Sequence, residues 1–369
     1  MRLFGALSIV AIAIVAGCID PFPLKYGNGA LGDVVIDGFI SDQPGPYYVK
    51  LTRTFDVQSI RSFREDISAS RITLYDNHGY EEILREVKQG LYKTDSIGLR
   101  GKIGDVYRLK VELRDGKIYE SKPDTLSPSG KIDSIYFNYR ESQGEVNSIK
   151  GFDIFFDANK GNADHDRFLW KFIGTYKVDT NPELYDTICA DGRCPKPLRC
   201  SGYVLSETNQ LEKVRQCACC TCWINLYNDK PILSEANTAK GGYEKVQAYY
   251  LPITQWTFMY HVNVKIQQFS FSKQAFQFWK RVKQQKEATE SLFQPATGIL
   301  PSYFTQVSGE PAPVFGLFYT ASVSSKDIDI TNFDFPPRFV LPPVDPIINN
   351  SCLKSFAFST INRPAFWFD

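Results

Sequence analysis

The amino-acid sequence predicts a mainly β protein, in which an N-terminal β-sandwich of immunoglobulin or transthyretin type precedes a larger β-rich domain. Three observations carry this prediction. Short segments rich in β-branched and aromatic residues recur along most of the chain and are bounded by turn residues. One stretch, about 273–290, shows clear helical spacing of its apolar residues. Seven of the nine cysteines fall between residues 189 and 222, which indicates a disulfide-rich, loop-rich segment.

The chain begins with the features of an export signal. Arg2 precedes an apolar run from Leu3 to Val15, and small residues then lead to Cys18. This run is shorter than the ~20 apolar residues that a membrane-spanning helix needs. We expect residues 1–17 to be a lipoprotein signal peptide, because a cysteine at this place resembles the lipobox of bacterial lipoproteins. Cys18 would then carry the lipid; simple secretion is the alternative.

The β-sandwich is predicted over residues 33–127. Residues 18–32 before it are expected to be a lipidated tether, because their prolines and glycines discourage regular structure. The first strands are predicted at 33–40 and 47–54, and a turn at 76–79 joins the next two. These strands alternate with turn residues in the manner of a sandwich.

The clearest hairpin of the chain lies within residues 105–122. Apolar and polar residues alternate on both sides of Asp115-Gly116, a dipeptide that favours tight hairpin turns. The segment 122–130 that follows is rich in Pro, Ser and Gly. We therefore expect the sandwich to end there.

The larger β-rich domain is predicted over residues 128–369, with the cysteine-rich insertion at 189–222. In one of its strands, apolar residues fall on even positions from Tyr260 to Ile266, and the alternation changes phase near Gln268. Such a change of phase allows a β-bulge at this point.

A helix is predicted over about 273–290, with Ser272 as its N-cap. One side of this segment is apolar and the other carries charged residues. The apolar stripe consists of Ala275, Phe276, Trp279 and Val282. We expect this stripe to pack on a sheet.

The expected export of the chain guides the interpretation of its cysteines. An oxidising space favours disulfides over free thiols. It also favours them over a zinc site, which the C-x2-C spacings near residue 220 would suit. With Cys18 lipidated, the candidates for disulfides are Cys189, Cys194, Cys200, Cys217, Cys219, Cys220, Cys222 and Cys352. Their pairing stays open, since eight cysteines allow about 105 arrangements. We expect the three upstream cysteines to pair with the 217–222 run, adjacent Cys219 and Cys220 to have different partners, and Cys352 to take the remaining one.

The sequence offers little for catalysis. The formal net charge of +1 gives no reason to expect a nucleic-acid partner. His165 lies between Asp164 and Asp166 and could serve a metal or acid–base site, although a solvated loop is favoured. His78 is expected in a turn, and His261 on the polar side of a strand. We predict no catalytic residue, no metal and no cofactor, and the sequence does not identify ligand-binding residues.

Four of the tryptophans could line a ligand surface, although a buried core is the expected environment for such large side chains. They are Trp223, Trp256, Trp279 and Trp367.

Several segments, taken in order, resemble the Bacteroidota lipoproteins that are grouped as the domain-of-unknown-function 4249 family. They include the lipobox cysteine, "VVIDGFISDQPGPYYVKLTRT" from residue 34, "FSFSKQAFQFWKRVKQQ" from residue 269 and "VFGLFYTASV" from residue 314. The family's tail has a Cys-x-x-Cys motif and a later Pro-x-Phe-Trp motif. Here the matching residues are Cys352, Pro364, Phe366 and Trp367, and Ser355 stands at the second cysteine position.

The resemblance implies an outer-membrane lipoprotein, on the cell surface or the periplasmic side, that accompanies a TonB-dependent transporter. It implies no enzymatic activity and no established ligand. The expected function is thus a non-enzymatic accessory or ligand-capture subunit that is held at the membrane by its N-terminal lipid. A surface adhesin or structural envelope lipoprotein without a transporter is the alternative, and an envelope hydrolase is the third candidate.

Overall fold

A computed structural model describes residues 33–54, 65–141, 150–189, 192–234, 242–289, 300, 302–343 and 348–368. The described part is mainly β, which confirms the predicted fold class. The predicted signal peptide, the tether and Cys18 lie outside these residues. No described helix is both long enough and apolar enough to cross a bilayer.

Ten of the described strands lie before residue 127. They are β1 (Val34–Ser41), β2 (Tyr48–Arg53), β3 (Glu65–Asp66), β4 (Ala69–Asp76), β5 (Glu81–Ile83), β6 (Arg85–Lys88), β7 (Leu91–Lys93), β8 (Val106–Leu113), β9 (Ile118–Ser121) and β10 (Asp124–Thr125). The predicted first strands and the hairpin between β8 and β9 are confirmed. The turn at 76–79 joins β4 and β5 as predicted.

Among the described residues, the later part of the chain forms strands of 2 to 17 residues and two α-helices. The strands are β11 (Lys131–Glu141), β12 (Lys150–Asn159), β13 (Phe168–Asp179), β14 (Asp186–Cys189), β15 (Gly192–Pro195), β16 (Tyr203–Leu205), β17 (Leu211–Lys213), β18 (Thr221–Tyr227), β19 (Ile232–Leu233), β20 (Gly242–Pro252), β21 (Val262–Phe271), β22 (Phe304–Ser308), β23 (Val314–Ile330) and β24 (Ser359–Thr360). The helices are α1 (Lys273–Thr289) and α2 (Cys352–Ser355). Three short 3-10 turns lie at Pro182–Leu184, Arg199–Ser201 and Asn332–Asp334.

Within the described residues, eleven strands form one large sheet that combines both ends of the chain. Its order is β24-β18-β13-β21-β23-β1-β2-β7-β6, with β19 paired to β13 and β3 to β2. A second sheet has the order β22-β9-β8-β4-β5, with β10 on β8, and a third has the order β11-β12-β20. β14 pairs with β15 and β16 with β17 as separate hairpins.

Both smaller sheets cover the same face of the large sheet. Alternation along β23 places its even-numbered residues on this face. Phe318, near the start of β23, belongs to a core shared with the second sheet, where Leu109 and Tyr119 are fully buried. Ile330, at its end, belongs to a core shared with the third sheet, which includes Phe152. The N-terminal half is therefore a β-sandwich, as predicted, but a strand from residues 314–330 completes it.

Helix α1 covers the opposite face of the large sheet. The Ser272 hydroxyl accepts a hydrogen bond from the Ala275 amide at 3.2 Å, which confirms the predicted N-cap. Ala275 is fully buried, and Phe276 and Trp279 pack against the same core. This core also contains Phe269, Phe271, Leu317 and Tyr319 from the sheet. The predicted packing of the apolar stripe on a sheet is confirmed for these residues.

The change of phase in β21 does not come from a bulge. The strand keeps one register with β13 and with β23 through Gln268. Its even positions, such as Val264, face the core under the third sheet, whereas Phe269 and Phe271 face α1. Two different cores on opposite faces of one regular strand produce the pattern, and the bulge interpretation is wrong.

The boundary expected between residues 127 and 128 does not separate two sets of strands. β1 pairs in parallel with β23, from Val34 opposite Val314 to Ser41 opposite Ala321. β9 pairs with β22 in the second sheet. The buried Asp124 carboxylate also accepts hydrogen bonds from the Thr320 amide at 2.7 Å and from Gln274 of α1 at 2.9 Å. The two halves therefore share backbone and side-chain hydrogen bonds.

Candidate functional site

The eight cysteines after Cys18 come together as four disulfide pairs. They are Cys189–Cys194, Cys200–Cys219, Cys217–Cys220 and Cys222–Cys352. Their Cα–Cα distances run from 5.6 to 6.0 Å, which is usual for disulfides. Cys219 and Cys220 have different partners, and Cys352 pairs with a cysteine of the 217–222 run, as expected.

The expectation that Cys189 and Cys194 pair with the downstream run is wrong. They lie on the two strands of the β14–β15 hairpin, in which Thr187 is opposite Cys194 and Cys189 is opposite Gly192. This tight hairpin brings the two thiols together locally, so neither needs a distant partner. Of the three upstream cysteines, Cys200 reaches the run.

The Cys222–Cys352 pair fixes the C-terminal tail to the large sheet. It joins β18 to α2 across 130 residues of sequence. The Cys352 amide also donates to the Cys219 carbonyl at 3.2 Å. Ser351 caps α2, because its hydroxyl accepts from the Leu353 amide at 3.3 Å. Ser355 lies in α2, where its amide donates to the Ser351 carbonyl at 3.1 Å.

Beyond α2 the tail follows the edge of the sheet and then crosses its outer face, the face that α1 covers elsewhere. β24 pairs with β18, with Thr360 opposite Trp223. The His261 ring then stacks in parallel with Trp367 at 4.0 Å and with Phe368 at 4.2 Å between ring centroids. Two parallel rings this close must lie on opposite sides of the imidazole. The last described residues of the tail therefore enclose the His261 ring, and we call this arrangement of His261, Trp367 and Phe368 the ring clamp.

A polar layer lies in the sheet beside this clamp. The Asn263 side-chain amide donates to Asp329 at 3.1 Å and to Asp327 at 3.4 Å. The Nε2 atom of His261 lies 3.6 Å from an Asp329 carboxylate oxygen. Lys265, opposite Asp327 in the register, places its ammonium 4.8 Å from the centre of the Phe366 ring. Charged and amide groups of β21 and β23 thus orient the aromatic residues of the tail.

The tail leaves a set of aromatic side chains exposed, and we call Tyr227, Phe358, Phe366 and Phe368 the C-terminal aromatic surface. Their exposed fractions are 45%, 71%, 40% and 50%. Phe358 contacts Tyr227 edge to face at 5.6 Å. The sheet register places Tyr227 in one row with Ile173 and Lys265, on which Phe366 rests. The four rings therefore belong to one region of the molecule, at the edge and outer face of the large sheet.

The sequence of this chain matches a known protein family. Residues 19–327 match the model of the Domain of unknown function (DUF4249). The chain belongs to the DUF4249 family. No curated protein matches the chain. The match runs through most of β23 and stops before the tail. Of the aromatic surface, Tyr227 lies within the matched range, and Phe358, Phe366 and Phe368 lie beyond it.

The other residues considered for chemistry are spread through this DUF4249 chain. His165 is buried, with 8% of its surface exposed, so the expectation of a solvated loop is wrong for this residue. Its Nδ1 accepts from the Arg167 amide at 3.2 Å, and the ring packs near Phe168. Burial lowers the pKa of His165, and the neighbouring Arg167 lowers it further, whereas the charges of Asp164 and Asp166 act in the opposite direction.

The remaining two histidines occupy structural positions. His78 lies in the β4–β5 turn, as predicted, and its hydrogen bond of 2.9 Å to Asp105 raises its pKa. His261 was expected on a polar strand face, but it is buried between two aromatic rings because the tail covers that face. Among the described residues, no cluster of three or more His, Cys, Asp or Glu side chains is arranged to hold a metal ion.

All four of the tryptophans that could have lined a ligand surface lie in packed environments, although Trp279 also lines a cleft beside α1. Trp223 and Trp367 are buried and contact each other edge to face at 6.4 Å. Trp256 packs against the core under the third sheet, and Trp279 packs against the core under α1. The exposed aromatic residues are phenylalanines and tyrosines. The alternation in Phe366-Trp367-Phe368, exposed then buried then exposed, is a two-residue period that could have indicated this surface from the sequence.

Proposed function

We propose that this protein is a lipid-anchored, non-enzymatic accessory or ligand-capture subunit of a TonB-dependent transporter in the outer membrane. The observation that supports this proposal most is the C-terminal aromatic surface. Exposed aromatic side chains are the usual anchors of protein interfaces. A disulfide, β pairing and a ring clamp hold these particular side chains in place, which lowers the entropy cost of docking. The occupant that we propose for the surface is the transporter.

Tethering is the second part of the proposed mechanism. Acylation at Cys18 would hold the chain on the same membrane as its partner and raise the local concentration of the two proteins. A docking surface of modest intrinsic affinity would then suffice. The N-terminal features of the sequence support this part, and they lie outside the described residues.

Site-specific crosslinking tests the docking claim. A photo-crosslinking amino acid is placed at Phe366 in one strain and at Tyr80 in a control strain. Tyr80 is also exposed, at 50%, but it lies near the β4–β5 turn in the second sheet. We expect Phe366 to crosslink to a transporter barrel at high yield and Tyr80 to do so weakly or not at all.

Three results would count against the proposal. Equal crosslinking from both positions would remove the aromatic surface from the interface. Absence of a transporter from all crosslinked products would favour the adhesin or structural alternative. Firm membrane attachment of a Cys18→Ser variant would refute the lipid anchor.

A further inference from the structure

A cleft opens beside the second half of α1, and its lining includes none of the rings of the C-terminal tail. It lies between α1, β13 and the loop after β18, and its volume is about 280 Å³. Leu169, Trp279 and Val282 are among its apolar lining residues, and Tyr227 lines one side. Ligand sites usually exceed about 300 Å³. This cleft therefore suits a small molecule with one ring or a short chain.

Lys171 places a positive charge inside this cleft. Its side chain projects from the sheet toward α1, and its ammonium lies 4.6 Å from the centre of the Phe269 ring and 5.8 Å from that of Trp279. Among the described residues, no carboxylate lies within ion-pair distance of this ammonium. Burial lowers the pKa of Lys171, and the more distant charge of Asp37 only partly opposes this effect.

The aromatic rings near the Lys171 ammonium attract it but do not accept hydrogen bonds from all of its N–H groups. A ring face attracts an ammonium, but it does not replace the oxygen acceptors that three N–H donors have in water. Removing a charge from water without such acceptors costs free energy. A carboxylate delivered by a ligand would supply them, and the apolar lining would hold the rest of that ligand.

The other charged groups of the cleft lie at its mouth. The Lys286 ammonium donates to the backbone carbonyl of Asp229. The Asp229 residue is exposed. Lys171 is thus the charged side chain that lies beside the apolar residues of the cleft.

We propose that the cleft beside α1 binds a small amphipathic carboxylate, with its charged group on Lys171 and its apolar part against Leu169, Trp279 and Val282. Tyr227 is the one residue that this cleft shares with the C-terminal aromatic surface. The proposal does not depend on the transporter partner, because it concerns the isolated protein.

The test compares two probes of nearly the same shape, 4-(trifluoromethyl)benzoate, which carries a carboxylate, and 4-(trifluoromethyl)benzamide, which is neutral and has an NH2 donor in place of one carboxylate oxygen. Their binding to the purified, disulfide-intact protein is measured by fluorine NMR. We expect the benzoate to bind about tenfold more tightly, the size of effect that one charge-assisted hydrogen bond produces. Lys171→Met should abolish this preference. Lys177→Met is the matched control, because Lys177 makes a similar contact with the Tyr260 ring, at 4.2 Å, outside the cleft.

A second variant keeps the proposal testable if Lys171→Met fails to fold. Val282→Trp fills the cleft and leaves Lys171 in place, so it should weaken both probes together. Equal binding of benzoate and benzamide by the unaltered protein would overturn the proposal. So would a benzoate preference that survives in Lys171→Met, or unchanged benzoate binding in Val282→Trp. Transporter crosslinking is a separate measurement, so its failure would leave this result standing.

Discussion

The imidazole of His261 holds the last described residues of the tail against the large sheet. It stacks between Trp367 and Phe368, and Trp367 also contacts Trp223. Aromatic pairs contribute about 0.5–1.5 kcal/mol each beyond the area that they bury. Because these contacts bridge β18, β21 and the tail, they hold the exposed rings of Phe366 and Phe368 in fixed positions.

Truncation of Trp367 should therefore destabilise the protein strongly. Only 4% of this side chain is exposed, and we expect Trp367→Ala to lower the free energy of unfolding by about 3–5 kcal/mol. Phe358→Ala is the control, since 71% of that ring is exposed and a change of about 1 kcal/mol or less is expected from loss of its contact with Tyr227. Urea unfolding with intact disulfides measures both. Similar values for the two variants would contradict the clamp.

Burial of His165 should make stability depend on pH. Burial, aided by Arg167, lowers the pKa of this imidazole below its ordinary value of 6.5 in the folded chain. Between the folded and unfolded pKa values the unfolded state binds more protons, so stability falls as pH decreases below about 6.5. We expect His165→Phe to show a smaller decline between pH 7.5 and pH 5.5 than the unaltered protein. Equal declines would refute this effect.

His78 is a control, because its pKa in the folded chain is raised whereas that of His165 is lowered. Its hydrogen bond to Asp105 raises its pKa, so its stabilising effect is present below about pH 6.5 and is lost as pH rises through the raised value. His78→Gln should therefore alter stability on the acidic side and leave it unchanged at high pH.

Among the secondary-structure elements, β23 connects the two halves of the molecule. Its first part runs parallel to β1, and its second part runs antiparallel to β21. Gly316 sits within the parallel part with a φ of +109°, and a Cβ added there would lie 1.9 Å from the Ile36 carbonyl oxygen. Only glycine fits this close approach of two strands.

Gly316→Ala should disrupt the β1–β23 pairing. Gly79→Ala is the matched control, because Gly79 also has a positive φ, +87°, but no heavy atom lies within 4 Å of the added Cβ. The control should cost about 1–2 kcal/mol from the backbone conformation alone. We expect Gly316→Ala to cost clearly more in urea unfolding or to prevent folding. Equal costs would show that the close approach is unimportant.

The disulfides link secondary-structure elements to each other, as Cys222–Cys352 links β18 to α2 of the tail. Alkylation of the unreduced protein should modify none of the eight cysteines after Cys18, and peptide mapping should recover Cys222 linked to Cys352. Loss of that pair in a Cys222→Ala, Cys352→Ala variant should cost about 2–5 kcal/mol, because the loop it closes is long. Alkylation of all eight thiols would refute the disulfide assignment.

For the whole molecule, the large sheet makes folding of the two halves interdependent. Phe304, Val314 and Phe318 from the C-terminal part belong to the core of the N-terminal sandwich. The strand pairs that carry them, β22 with β9 and β23 with β1, link segments far apart in sequence. The family match, which spans residues 19–327, includes both members of these pairs.

A fragment of residues 33–127 should consequently fail to fold alone. It lacks β22 and β23, so one edge of each sheet of the sandwich and part of its core would face water. We expect narrow amide dispersion in proton–nitrogen NMR spectra and no cooperative urea transition, whereas residues 33–369 show both features of a folded protein. A cooperative transition in the fragment would restore the predicted boundary at 127/128.

Local features of this protein follow from its sequence. The Asp115-Gly116 hairpin, the turn at 76–79 and the helix that begins after Ser272 depend on residues close together in the chain. Turn geometry and helix capping involve a few neighbouring dihedral angles, so local sequence suffices to specify them. The even number of cysteines after Cys18 likewise indicated complete pairing, although the local pair Cys189–Cys194 was not the one that we expected.

Only the tertiary structure decided the features that join distant segments. β1 and β23 lie about 280 residues apart, and nothing in the local pattern of either strand selects the other as its partner. The two phases of β21 reflect two cores that form on opposite faces of the large sheet. The same assembly buries His165 and His261 and leaves Phe366 and Phe368 exposed. Exposure depends on what packs above a side chain, and for His261 the covering segment is the C-terminal tail.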